Sequence, residues 1–177
     1  MKQVAIHVRD PARFADIIGA DRADRLAVSN ASRAVKRLQG RSVLNINSTA
    51  LGGGVAEMLH VLLGYVRGAG IDTRWLVIEA GPSFFELTKR IHNHLYGSPG
   101  DGGALGDAER AVYESGLTPN ANELAACARS GDLVILHDPQ TAGLAELAKK
   151  LGCLVVWRCH VGGDNPIEHS RAGWDFL

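Results

Sequence analysis

The sequence predicts an α/β fold, a doubly wound domain built on a parallel sheet. Three observations carry that prediction. Four short runs, Val43–Ile46, Trp75–Ile78, Leu133–Leu136 and Leu154–Trp157, have the length of strands. Helical segments separate them, which is the connection parallel strands require. The runs are almost continuously apolar rather than alternating, as expected for strands covered on both faces.

Taken in order, Gln3–Val8 reads as a short strand at a sheet edge. Residues 11–39 form two charged helical stretches broken near Gly19-Ala20-Asp21, and Gly40 closes the second as a C-cap. Residues 1–40 together look like an appendage packed on a main domain of residues 41–177. That domain starts with the strand at Val43, runs through the polar turn Asn47–Leu51 and three glycines, Gly52, Gly53 and Gly54, and enters a helix over 55–68. Glu57, His60, Gly64 and Arg67 form the only polar stripe on this helix, so most of its surface is expected to be buried. Further helices are predicted over 83–95, 107–115, 120–129 and 141–151. The tract Gly97–Gly103 reads as a mobile loop. No internal repeat is present.

Composition narrows the function classes. Lys plus Arg equals Asp plus Glu at 19 each, so no global field draws in nucleic acid or an anionic membrane. No apolar run approaches the roughly 20 residues that span a bilayer, and the first residues lack the apolar core of a secretory signal. Cys127, Cys153 and Cys159 make an odd count without CxxC spacing, which fits buried free thiols in a reducing cytoplasm. A cytoplasmic location is the expectation.

In open α/β sheets, ligands collect beyond the carboxyl ends of the strands. Polar residues gather there in this chain: Asn47 to Gly54, Glu79 to Pro82, His137 to Gln140, and Arg158 to His160 beside the loop Gly162–Asn165. Three glycines where a strand feeds a helix let the backbone approach a ligand and aim free N–H groups at it. The helix dipole then favours a phosphate or sugar oxygen. Glu57, in the first turn of that helix, is a further candidate for binding substrate; the plain alternative is a tight turn, with Glu57 folded back as in a capping box. The spacing matches neither GxGxxG nor the P-loop.

Asp138 can accept hydrogen bonds from sugar hydroxyls or act as a base, or else cap the helix that follows. His160 can bond a hydroxyl or carbonyl or shuttle a proton, or else be satisfied by backbone. Arg158 can hold an anion or form a structural ion pair. Phe84, Leu87, Ile91 and Leu95 share one helical face and belong to the core, whereas Lys89, His92 and Asn93 lie off it and can approach the same cleft. His92 and His94 are two apart, too close for a helical zinc pair, and no metal site is expected.

The blocks Asn47-Ser48-Thr49, Gly52–Glu57, Trp75–Glu79, Phe84–Lys89, His92-Asn93, His137–Gln140 and Trp157–His160 occur in one order over about Arg41 to Leu177. In this the chain resembles the amino-terminal domain of trehalose synthases of the glycosyltransferring type, within the retaining family, GT4, that includes sucrose synthase. The resemblance implies the GT-B arrangement of two Rossmann-like domains facing across a cleft, with the acceptor on the amino-terminal one. It implies reversible, metal-independent transfer of glucose from a nucleoside diphosphate glucose to glucose, giving trehalose with retention and no cofactor. By the same resemblance, Gly52–Gly54 lie near the donor phosphates and transferred sugar, and His160 contacts the donor hydroxyls. Asp138 and Gln140 bind near the reacting sugars, and Lys89 and Asn93 serve the acceptor.

A whole enzyme of that kind needs well over twice this length. The expectation is therefore a missing carboxyl-terminal donor domain, and a chain that does not turn over alone. Two other readings remain open: half of a trehalose phosphorylase, or a non-catalytic sugar-binding or oligomerisation module. Apolar surface bared by an absent domain makes a homo-oligomer plausible. An NAD enzyme fits the glycine spacing poorly.

Overall fold

The computed structural model describes residues 1–25, 32–163 and 167–177. Five strands form one sheet: β1 (Lys2–Val4), β2 (Val43–Asn47), β3 (Thr73–Val77), β4 (Leu133–His137) and β5 (Leu154–Arg158), in the order β1-β3-β2-β4-β5. β2 to β5 are parallel, and β1 alone runs antiparallel, against β3. The first strand is shorter than predicted and lies, as expected, at the sheet edge.

β2 is the centre. Every residue of it is buried, because it is paired on both sides and covered on both faces. Leu44 and Ile46 face the larger core, with Leu76, Val134 and Leu136 beside them on the sheet. Helices α5 (Pro82–Leu95), α6 (Asp107–Cys127) and α8 (Glu168–Phe176) cover that face through Phe84, Leu87, Ile91, Leu95, Tyr113, Leu117, Leu124 and Phe176. A six-residue 3-10 turn, Pro139–Leu144, and α7 (Ala145–Lys150) complete it.

The opposite face is covered only in part. α4 (Gly54–Gly68) packs Ala56, Leu59 and Leu63 on Trp75, which is fully buried. Leu154 and Val156 of β5 remain about half exposed on this side. The expectation of a sheet covered on both faces therefore fails at β5. Nor is α4 mostly buried: Val61 and Leu62 are exposed, whereas Gly64, from the polar stripe, is buried. A Cβ at Gly64 would come within 2.6 Å of the His7 carbonyl oxygen. The N-terminal segment lies there, donating from the Arg9 amide to the Gly64 carbonyl.

That segment holds a 3-10 turn at Pro11–Phe14, then α1 (Ala15–Ile18), α2 (Ala20–Arg25) and α3 (Ser32–Leu38). Gly19 breaks it at φ 84°, and Gly40 follows α3 at φ 76°. The predicted helical stretch crosses residues 26–31, which lie outside the described residues, as do Asp164 and Asn165 of the loop after β5.

Two further expectations are corrected. The predicted helices over 107–115 and 120–129 are one helix, α6, which ends at Cys127. Gly116 is there for contact rather than as a break, since a Cβ on it would meet the Phe84 ring at 2.5 Å. Pro119 lies inside the helix, and the neighbouring Asn120, fully buried, clamps both the amide and the carbonyl of Glu79 at 2.9 and 2.8 Å. The Gly97–Gly103 tract is tied down: Arg90 grips Asp101 with two bonds of 2.6 and 3.0 Å and donates to the Ala104 carbonyl at 2.7 Å.

Candidate functional site

The chain leaves β2 for β3 on one side and returns to β4 on the other. This reversal between β2 and β4 is the topological switch point at which open α/β sheets hold ligands. A cavity of about 370 Å³ lies there. Asn47 to Thr49 and Gly52 to Ala56 line it from the end of β2, Asp138 and Gln140 from the end of β4, His160 and Val161 from the end of β5, and His92 from α5.

The glycine bend is held open by the strand behind it. Trp75 donates from its indole N–H to Asn47 Oδ1 at 2.7 Å, and the Asn47 amide nitrogen donates to the Thr49 carbonyl at 2.6 Å. Thr49 Oγ1 in turn accepts from the Leu51 amide. Gly52 and Gly53 adopt φ 73° and 84°, which side-chain-bearing residues adopt at a cost. No side chain caps α4, so its first amides stay free beside the cavity. They can meet an anionic or hydroxyl oxygen there.

Asp138 is the only described non-glycine residue with positive φ. At φ 64° and ψ 176° it sits in a region almost reserved for glycine. Its carboxylate does not cap the following turn. It accepts instead from the His160 amide at 2.7 Å. Its carbonyl accepts from the Trp157 indole at 3.0 Å, and its amide donates to the Arg158 carbonyl. These bonds over-determine the backbone and lock the ends of β4 and β5 together.

Behind His160 stands His137, the buried last residue of β4. His137 Nδ1 is 3.2 Å from His160 Nε2, and His137 Nε2 is 3.3 Å from Asn45 Oδ1. Burial first, then the neighbouring His160 and Arg158, pushes the His137 imidazole down to about 4, so it is neutral near pH 7. Burial and Lys89 also lower His92, against an opposing pull from Asp138.

Of the residues predicted from the sequence, the structure brings Gly52, Gly53, Gly54, Asp138, Gln140 and His160 to one cavity. The other four stand outside its lining. Glu57 is exposed on α4, and Lys89 is exposed on α5. Asn93 packs against Gly100 in the clamped loop. Arg158 turns to the α4 face, with Nη1 3.5 Å from Met58 Sδ, and makes no ion pair among the described residues. His92 takes the place expected for Lys89 and Asn93. His137 and Asn45 were not singled out. Their signal was a polar residue inside or ending an otherwise apolar strand.

A family model described as "Trehalose synthase, N-terminal domain" matches residues 45–177. The chain belongs to this family. It is 38% identical over 150 residues to a trehalose synthase of Pyrococcus horikoshii, covering 85% of this chain and 34% of that protein. It is 39% identical over 143 residues to a trehalose synthase of Rubrobacter xylanophilus, covering 80% of this chain and 33% of that one. A trehalose phosphorylase of Pleurotus sajor-caju is 32% identical over 130 residues, covering 70% of this chain and 17% of that protein. The chain thus spans about a third of the length of the trehalose synthases it matches. The matched segment contains the β2 end, the glycine bend, Asp138, Gln140 and His160, and leaves out the whole N-terminal segment. Among the described residues no helix is long and apolar enough to cross a membrane.

Proposed function

We propose that the cavity at the switch point is the sugar site on the amino-terminal side of a retaining, trehalose-forming glucosyltransferase. In the proposed reaction the bond from glucose C1 to the diphosphate of a nucleoside diphosphate glucose breaks. A bond forms from C1 to the anomeric oxygen of a second glucose, with the configuration at donor C1 kept. The proton of that hydroxyl leaves with the diphosphate.

The observation that carries this reading is the meeting of the uncapped α4 N-terminus with Asp138 and His160 in one small hollow. Backbone amides suit phosphate or hydroxyl oxygens, the carboxylate accepts from hydroxyls, and the imidazole reads a hydroxyl from the other side. The greater length of the related trehalose synthases supports the further reading that a second domain supplies the groups that stabilise the leaving diphosphate. Such electrostatic stabilisation is commonly the largest catalytic term.

The relatedness to trehalose phosphorylases favours a second reading, in which inorganic phosphate replaces the nucleotide. Calorimetry with glucose, trehalose and nucleoside diphosphates tests the site. Glucose release from trehalose with ADP, UDP or phosphate, assayed with the carboxyl-terminal half present, tests the reaction. Sugar binding by this chain, and release with a nucleoside diphosphate, support the first reading. Release with phosphate alone selects the second. Binding with no release under any condition reduces the chain to a binding module.

A further inference from the structure

A chain of hydrogen bonds runs from the cavity into the sheet, and its direction can be worked out from the far end. The carbonyl oxygen of Val43 can only accept, so Thr73 Oγ1, 3.1 Å away, donates to it. Thr73 Oγ1 then accepts from Asn45 Nδ2 at 3.2 Å. With its nitrogen so engaged, Asn45 turns its oxygen to His137 Nε2, which must carry the proton. A neutral His137 protonated on Nε2 has a bare Nδ1, and that atom faces His160 Nε2. The two rings are inclined by only 24°, with centroids 5.5 Å apart. That separation is close to the N···N distance plus both ring radii, so the contact points along the ring lone pair.

We propose that His137 is a positioning residue that holds His160 as its Nε2–H tautomer, leaving Nδ1 as a bare acceptor for a ligand hydroxyl. His160 Nδ1 has no hydrogen-bond partner among the described residues and is not among their buried unpartnered atoms, so it is accessible on a ring that lines the cavity. The burial that keeps His137 uncharged keeps it an acceptor. The selectivity follows from the chemistry: held in this tautomer, His160 accepts from an O–H group through Nδ1 and has no proton there to offer a phosphate or carboxylate oxygen. Hydroxyl recognition at this corner and anion recognition at the glycine bend are then divided within one cavity. The hydroxyl-bearing ligand rests on the function proposed above; the tautomer does not.

Long-range ¹H–¹⁵N correlation of the histidine side chains near neutral pH reads the tautomer directly. In the unmodified protein His160 is expected as Nε2–H, preferred over the other form by about tenfold, the worth of one hydrogen bond. In Asn45→Val and His137→Phe the preference is expected to collapse to a mixture. A His160 resonance pattern of Nδ1–H, or of an even mixture, in the unmodified protein overturns the proposal without any variant being needed. An unchanged preference in folded Asn45→Val and His137→Phe also overturns it. Glucose titration in the same samples separates the two ideas: the expected tautomer with no sugar bound sinks the functional reading alone, and bound sugar with the other tautomer sinks the lock alone.

Discussion

The backbone amide of His160 donates a 2.7 Å hydrogen bond to Oδ1 of Asp138, a residue held at φ 64° and ψ 176°. One carboxylate therefore ties the ends of two strands together from a strained backbone, directly beside the cavity. Outliers of this kind cost of order 1–3 kcal/mol and persist where the surroundings over-determine them.

Asp138→Ala and Asp138→Gly separate the two contributions. Both lose the carboxylate and its bond to His160, but only glycine relaxes the backbone. Asp138→Gly is expected to be more stable than Asp138→Ala by about 1–3 kcal/mol in chemical denaturation. Both should lose sugar binding in calorimetry. Equal stabilities would mean that the backbone is not strained.

The glycine bend allows a similar contrast. Gly53 has φ 84°, and Gly54 has no such requirement and open space where a Cβ would stand. Gly53→Ala is expected to cost about 1–2 kcal/mol, and Gly54→Ala less than about 0.5 kcal/mol, read from denaturant midpoints. Ligand binding should weaken in both, since either methyl intrudes near the free amides of α4.

Acid should destabilise the protein through His137. Its folded pKa is depressed to about 4 from the ordinary 6.5, mainly by burial. Between these values the unfolded chain takes up a proton that the folded one refuses. The stabilising contribution is therefore complete above about pH 6.5, falls as pH drops, and is exhausted below about 4. The loss is of order 3 kcal/mol at most. His92, lowered in the same direction, adds to it. Denaturation between pH 7.5 and 4.5 should show this slope, and His137→Phe should flatten most of it.

Asn120 holds the chain where it leaves β3, bonding both backbone groups of Glu79 and the Gly116 carbonyl. Asn120→Ala leaves these part-buried groups without their partner. The expected loss is about 2–3 kcal/mol, because an unpaired buried polar group costs more than a bond contributes. A loss below about 1 kcal/mol would show that water replaces the amide.

Particular residues show what could be read before any coordinates. The apolar runs of β2 to β5 and the helices between them were legible, because burial leaves a pattern that no alternation interrupts. The gap predicted between 115 and 120 holds Gly116 and Pro119, and a glycine placed for contact with Phe84 looks the same in sequence as one placed to end a helix. The open flank of β5 was hidden for the same reason: Leu154 and Val156 are as apolar as buried residues, and nothing local says that no helix covers them. The residues after each strand, Gly52 to Gly54, Asp138, Gln140 and His160, could be found from topology alone. Orientation on a helix could not: Lys89, His92 and Asn93 were equivalent by spacing, and only the structure turns His92 to the cavity. His137 and Asn45 act from behind the cavity, and a partnership 92 residues apart leaves no local trace.

The central claim is that the hollow between the glycine bend and His160 takes a sugar. Titrating glucose and trehalose into ¹⁵N-labelled protein, and mapping which amides move, tests it most directly. The account predicts shifts concentrated at Ser48 to Val55, His92, Asp138 to Gln140 and His160 to Val161. Shifts confined to the opposite end of the strands, around Arg41, Arg74 and Arg129, or no shifts at all, would contradict it.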